Sequence, residues 1–131
     1  MVDQVPNLER GEVSITLDGK TFVMRPTPDA VSKIEARNGR GLRATLLRFV
    51  RSDYTLDELT SIVFEGLKAA GEPAVYDKTR ELIYKTGYDV VAVGVYQFIV
   101  NATTGGRQEG AESGEAKAAG TTTSTTAASA G

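Results

Sequence analysis

An arginine-rich segment with two glycines offers the most chemistry in this chain. Residues 37–44 read RNGRGLRA and contain G-x-G-x-x-A, a form of the turn that binds the pyrophosphate of a dinucleotide. That turn follows a β-strand, and an acidic residue stands about 20 positions later at a strand end. Here a predicted helix precedes the glycines, and the acids nearest that distance, Asp57 and Glu58, belong to a predicted helix start. We therefore interpret Gly39 as the end of one helix and Gly41 as the loop before the next.

The same region carries a cluster of positive charge. Between positions 33 and 51 there are six basic residues and one acid, Glu35. Such a cluster could contact nucleic-acid phosphates, but the formal net charge is −2 and the second predicted helix lacks a group of base-reading Asn and Gln side chains. We interpret it as a solvated face or a docking surface for an acidic protein partner. The candidate partner-binding residues are these six basic residues and two phenylalanines: Lys33, Arg37, Arg40, Arg43, Arg48, Arg51, Phe49 and Phe98.

The residue types of most catalytic and metal sites are missing. The sequence has no cysteine and no histidine, which excludes disulfides, the usual zinc sites and every histidine-dependent triad. Asp29, Asp57 and Glu58 fall at predicted helix N-termini, where helix capping and the helix dipole explain them. The Ser/Thr-rich end of the chain has no base that could activate a nucleophile. We predict a non-enzymatic protein with no catalytic residue, cofactor or metal.

The elements that position these residues begin with a β-hairpin. Residues 12–25 read EVSITLDGKTFVMR, in which apolar and polar residues alternate on either side of an Asp-Gly turn. A two-residue turn pairs Ile15 with Phe22 and Val13 with Met24, so all four side chains share one face. Because a lone hairpin is marginal in water, this face is expected to pack on helices.

Five helices are predicted after the hairpin. Thr27 and Pro28 are typical of the N-cap and first position of a helix, and Thr55 with Glu58 forms a capping box. The last helix is rich in valine, but its length and its 3- and 4-residue apolar spacing favour a helix over a strand. The predicted helices cover about 28–38, 42–51, 56–70, 74–86 and 88–102. The buried face of the second is predicted to comprise Leu42, Leu46, Phe49 and Val50.

Together these elements predict an α+β fold in which an N-terminal two-stranded antiparallel hairpin packs on a bundle of about five short helices. We expect a flexible arm at 1–11, the hairpin and helical domain at 12–102, and a disordered tail at 103–131. The tail is rich in Gly, Ala, Thr and Ser and has no Leu, Ile, Val, Phe or Tyr, so it cannot bury enough apolar surface to order itself. With no signal peptide and no apolar run near the roughly 20 residues of a membrane span, we expect a soluble intracellular protein without a membrane partner.

The order of several short segments resembles a known family. Residues 11–27 read GEVSITLDGKTFVMRPT, residues 34–42 read IEARNGRGL, residues 55–67 begin TLDEL, and residues 70–73 read AGEP. In this order, and followed by an apolar helix, they resemble the small tail assembly chaperone family of gene transfer agents and related tailed bacteriophages, also described as a tail tube protein family. The resemblance covers roughly residues 10–102.

The resemblance implies a non-enzymatic assembly factor. Its partners would be the long, helix-rich tape measure protein and the major tail tube protein. It would act in the cytoplasm of the bacterial host during assembly and be absent from the mature particle. A structural tail tube component and a small nucleic-acid-binding helical protein remain as alternatives, and self-association is open. A tube wall normally needs a large β-sheet, and one hairpin favours the assembly factor.

Overall fold

Two strands and five helices follow one another in the order that the sequence predicts. The computed structural model describes residues 6–105, so the predicted disordered tail beyond residue 105 and the first five residues of the predicted arm lie outside the described residues. A short 3-10 turn at Leu8–Arg10 comes first. The elements after it are β1 (Val13–Leu17), β2 (Lys20–Met24), α1 (Pro28–Asn38), α2 (Leu42–Val50), α3 (Leu56–Ala69), α4 (Tyr76–Thr86) and α5 (Tyr88–Thr103).

The hairpin has the predicted register. Ile15 pairs with Phe22 and Val13 with Met24 in an antiparallel pair of strands. Asp18 and Gly19 both have positive φ, 51° and 83°, the backbone conformation of a two-residue turn whose twist matches that of the strands. The inward face packs on the helices and is buried except for a partly exposed phenylalanine. The α+β prediction is therefore confirmed.

Helix α3 lies at the centre of the domain. Residues 58–67 are buried without interruption, because α1, α4, α5 and β2 all pack around this helix. Gly66 permits the closest approach, since a Cβ at this position would lie 3.0 Å from atoms of both Met24 and Phe98. The carbonyl of Gly66 also accepts a hydrogen bond from the Arg25 N–H at 2.9 Å. This helix is thus the scaffold on which the other elements are arranged.

The helix ends confirm the predicted capping. The Thr27 hydroxyl oxygen accepts a hydrogen bond from the Ala30 N–H at the start of α1, and Thr55 and Glu58 make both bonds of a capping box at the start of α3. Gly39 closes α1 in the left-handed conformation, with φ of 71°. Gly41 then precedes α2 in extended backbone. The two glycines of the RNGRGLRA segment are an inter-helical elbow, as interpreted from the sequence.

A buried amide joins the two ends of the described chain. Asn101 near the end of α5 has no exposed surface, and its Nδ2 donates to the Gly11 carbonyl at 2.9 Å. Its Oδ1 accepts from Gln97 at 2.7 Å. The approach to β1 is ordered by a second contact, in which the Asn7 N–H donates to the Glu12 carboxylate at 2.8 Å.

Val50 lies where the sequence analysis did not expect it, and the fourth helix begins at Tyr76 rather than at about residue 74. Val50 is 63% exposed, so its assignment to the buried face of α2 was wrong. Leu42 and Phe49 are buried as predicted, together with Thr45, and Leu46 packs partly buried against the core. Val50 lies on the outer side of the helix. Val75 is 66% exposed because it is the N-cap residue of α4 and lies outside the helix.

Within residues 6–105, no helix has the length and apolarity that crossing a membrane requires.

Candidate functional site

Two of the six clustered basic residues bind a carboxylate inside the fold. Arg48 Nη2 donates to Glu58 Oε1 at 2.8 Å, and Arg40 Nη1 donates to the other oxygen of the same carboxylate. The Glu58 side chain is only 7% exposed and also accepts from the Thr55 N–H. The hydrogen bond to Glu58 is the main reason that the pKa of Arg48 is raised above its usual value. Glu58 therefore does more than cap α3: it ties α2 and the elbow to the central helix.

A third arginine of the cluster is held between three helices. Arg37 of α1 donates from Nε to Glu65 Oε2 of α3 at 3.1 Å, and the Glu65 side chain is 4% exposed. The Arg37 guanidinium carbon also lies 5.3 Å from the ring centre of Phe64 and 4.8 Å from that of Tyr76. These distances are typical of cation–π contacts, so Arg37 links α1 and α3 to the first residue of α4.

The remaining three basic residues lie at the surface. Lys33 pairs with Asp29 of the same helix at 3.1 Å, a contact of small energetic value because both side chains are exposed. Arg43 and Arg51 are exposed and have no ion-pair partner among residues 6–105. The predicted basic surface is therefore divided. Three arginines are committed to α3, and Arg43 and Arg51 face solvent.

The two candidate phenylalanines lie in the core. Phe49 is 6% exposed and stacks on Tyr54, with the ring centres 4.8 Å apart. Phe98 has no exposed surface and packs against the face of α3 that Gly66 opens. In this fold the Phe98 side chain is out of reach of a partner, and Phe49 supports a surface from below.

The surface above Phe49 was missed in the sequence analysis. Between α2 and α5 lies a groove of about 580 Å³. Five large apolar side chains lie on these two helices with 42–73% of their area exposed. They are Leu47 and Val50 on α2 and Val90, Val93 and Tyr96 on α5, and we call them the α2–α5 surface. Of these, Val50, Val93 and Tyr96 line the groove itself. The sequence indicates this surface only indirectly, because both helices carry more apolar residues than a single buried face accommodates.

A hydrogen bond fixes the floor of this groove. The Tyr54 hydroxyl, in the loop after α2, donates to Asp89 Oδ1 in the first turn of α5 at 2.8 Å. Burial raises the pKa of Tyr54, and the bond to Asp89 raises it further, so the phenol is protonated and able to donate at neutral pH. Together with the stacking on Phe49, this bond links the two walls of the groove.

The apolar groove differs in chemistry from a polar cavity at the start of α3. In the part of the chain that the structure describes, no three or more acidic side chains cluster in a way that could hold a metal ion. A second, polar cavity of about 540 Å³ lies near the start of α3, but its arginines and acids are largely those of the ion pairs just described. The groove is lined by Val50, Val93 and Tyr96 together with Asp89, and the exposed Arg51 lies between the lining residues Val50 and Ser52 in the chain.

Comparison with known proteins identifies a family. The family model described as "Phage tail tube protein, GTA-gp10" matches residues 10–106, a range that includes the hairpin and all five helices. Neither the curated proteins nor the solved structures give a significant match.

Proposed function

This chain belongs to the phage tail tube protein, GTA-gp10, family, and from that premise we propose that it is a non-enzymatic tail assembly chaperone. It binds the tape measure protein and assists polymerisation of the tail tube around it. Its partners are then the tape measure protein and the major tail tube protein. It acts in the cytoplasm of the bacterial host and leaves before the particle is complete.

The observation that carries this proposal is the α2–α5 surface. Monomeric proteins rarely expose a contiguous group of large apolar side chains, and such groups usually mark protein interaction sites. A groove between two helices suits an amphipathic helix, which inserts its apolar side chains into it. A tape measure protein, being long and rich in helix, would offer many such segments.

The outer edge of β2 also favours a chaperone over a tube subunit. Its Val23 N–H donates to Glu72 Oε2 at 3.1 Å, and the Arg25 N–H that follows the strand donates to the Gly66 carbonyl at 2.9 Å. A tube wall made of a continuous sheet requires free strand edges that pair between subunits. Pairing along β2 would therefore first break two bonds to α3 and the loop after it.

A structural tail tube component is the alternative function. The observation in its favour is the description of the family itself, which names a tail tube protein. This alternative predicts that the purified chain polymerises and that the finished particle contains it in many copies.

Nucleic-acid binding receives less support from the charge distribution. Arg37, Arg40 and Arg48 each have a carboxylate partner inside the domain, so the cationic surface is smaller than the sequence implies. Binding to phosphates would be strongest at low salt. We expect no binding of duplex DNA by this protein in a low-salt anisotropy assay.

Co-expression tests the proposed function. The full chain is produced with the tape measure protein of the same particle, with an affinity tag on the latter only. We expect the two proteins to purify together with a fixed stoichiometry, and addition of the major tail tube protein to this complex to yield tubes faster than the tape measure protein alone does. Failure to co-purify, together with tubes formed by this protein itself, would replace the chaperone with the structural alternative.

A further inference from the structure

We propose that the α2–α5 surface holds an amphipathic helix whose apolar stripe is flanked by acidic residues. The inference rests on the proposed function, since the helix would belong to the tape measure protein. It adds the location of the binding site and the chemistry of the segment that is bound.

The spacing of the exposed apolar side chains sets the size of the bound segment. Leu47 and Val50 on α2, like Val93 and Tyr96 on α5, are three residues apart, which places each pair on one side of its helix. From Arg43 to Arg51 the wall of α2 is about 12 Å long at 1.5 Å per residue. A helix lying along it contributes about two to three turns, with apolar residues at steps of three and four.

The charge along α2 sets the chemistry of the flank. Arg43, Leu47 and Arg51 are four residues apart and share one side of α2. They lie beside the groove, since Arg43 precedes the lining residue Val50 by about two turns and Arg51 directly follows it. Asp89, a charged side chain in the lining, already accepts a hydrogen bond from Tyr54. The other three arginines of the region have internal carboxylate partners, whereas Arg43 and Arg51 have none within residues 6–105. Glutamate or aspartate beside the apolar stripe of a partner would complement these two charges.

The walls of the groove are already in place before binding. Phe49 stacks on Tyr54, and Tyr54 donates to Asp89 on the opposite wall. Because no segment has to fold to form the groove, association loses less conformational entropy than binding to a flexible loop would.

Three double variants of the full chain test this site. L47D/V93D places charge on the α2 and α5 parts of the α2–α5 surface, R43E/R51E reverses the flanking charge, and V75D/Y84D changes two side chains that are similarly exposed, 66% and 69%, in and next to α4. Circular dichroism first establishes that each variant is folded. Affinity for the purified tape measure protein is then measured by biolayer interferometry at low and high salt.

We expect L47D/V93D to weaken binding by about 30-fold or more, the loss typical of central interface residues. R43E/R51E should weaken it by about tenfold at low salt, and the loss should shrink in high salt as the charges are screened. The control V75D/Y84D should remain within about twofold of the unsubstituted protein. Full binding by L47D/V93D would overturn the location of the site while leaving the chaperone function intact. Full binding by R43E/R51E would contradict the proposal that acidic residues flank the apolar stripe of the bound helix.

Two synthetic peptides separate the site from the proposed function. Both are helices of about 20 residues with one leucine stripe, flanked by glutamate in one and by lysine in the other. The site predicts preference for the glutamate peptide and loss of that preference in R43E/R51E, even if the tape measure protein does not bind. Equal binding of both peptides would contradict the inference. So would light scattering that shows a dimer of this chain dissociated by L47D/V93D, because the surface would then be occupied by a second copy.

Discussion

Replacement of Asn101 by alanine tests whether the last helix is joined to the start of the hairpin as the structure shows. The amide of Asn101 is completely buried. It donates to the carbonyl of Gly11, 90 positions earlier in the chain, at 2.9 Å. Alanine removes the donor but leaves the carbonyl buried, since Gly11 is buried as well.

The expected loss of stability follows from three contributions. An unpaired buried acceptor costs about 1–3 kcal/mol, and the small cavity left by the missing amide adds about 1 kcal/mol. The higher helix propensity of alanine offsets roughly 0.6 kcal/mol of this loss in stability. The free energy of unfolding of N101A should therefore fall by about 2 kcal/mol. For a domain of this size the Tm should fall by about 8–16 °C.

Urea unfolding followed by circular dichroism at 222 nm measures this change. The control is Thr103→Ala, because Thr103 lies in the same helix end but is exposed and bonds only to its own helix, through Val100. We expect the control to change the free energy of unfolding by no more than about 0.5 kcal/mol. An N101A variant as stable as the control would show that the hydrogen bond between Asn101 and Gly11 does not stabilise the domain.

Three further predictions concern the central helix and the floor of the groove. Glu58→Gln keeps the shape but removes the charge that binds two arginines, and should lower the Tm more than Asp57→Asn, whose carboxylate is 71% exposed; equal melting curves would contradict the buried network. Gly66→Val should destabilise the domain by about 2 kcal/mol or more in urea unfolding, because even a Cβ has contacts at 3.0 Å; unchanged stability would show that the packing is looser. Tyr54 should titrate by NMR above the ordinary tyrosine pKa of about 10, and Asp89→Asn should move it only partly back, since burial is the larger cause. Because the folded-state pKa of Tyr54 is raised, its contribution to stability is complete below pH 10 and is lost as the pH rises through the folded value; a titration at about 10 would contradict this.

The local elements could be predicted because their determinants are local. The Asp18-Gly19 turn fixes the strand register, and Thr27, Thr55 and Gly39 mark helix ends through bonds to backbone groups within four residues. The last helix was predicted from its length and spacing despite its valines, and the structure confirms it as α5.

The α2–α5 surface could not be predicted in the same way, because it depends on which helices are neighbours. In the sequence the six basic residues are equivalent, and only the position of α3 shows that Glu58 and Glu65 bind three of them. Val50 is apolar, as core residues usually are, but its position on α2 places its side chain on the outer side of the domain. These properties result from tertiary packing, which the spacing of residues within one helix does not encode.

The composition of purified particles tests the chaperone function most directly. Quantitative mass spectrometry of particles from the producing cells gives the ratio of this protein to the major tail tube protein, with the unfractionated lysate as the reference. If the chain is an assembly chaperone, this protein is abundant in the lysate, together with the tape measure protein, and essentially absent from particles. A ratio in particles of one copy per tube subunit, or of a fixed number per tube ring, would exclude the chaperone function and identify the chain as a structural part of the tail.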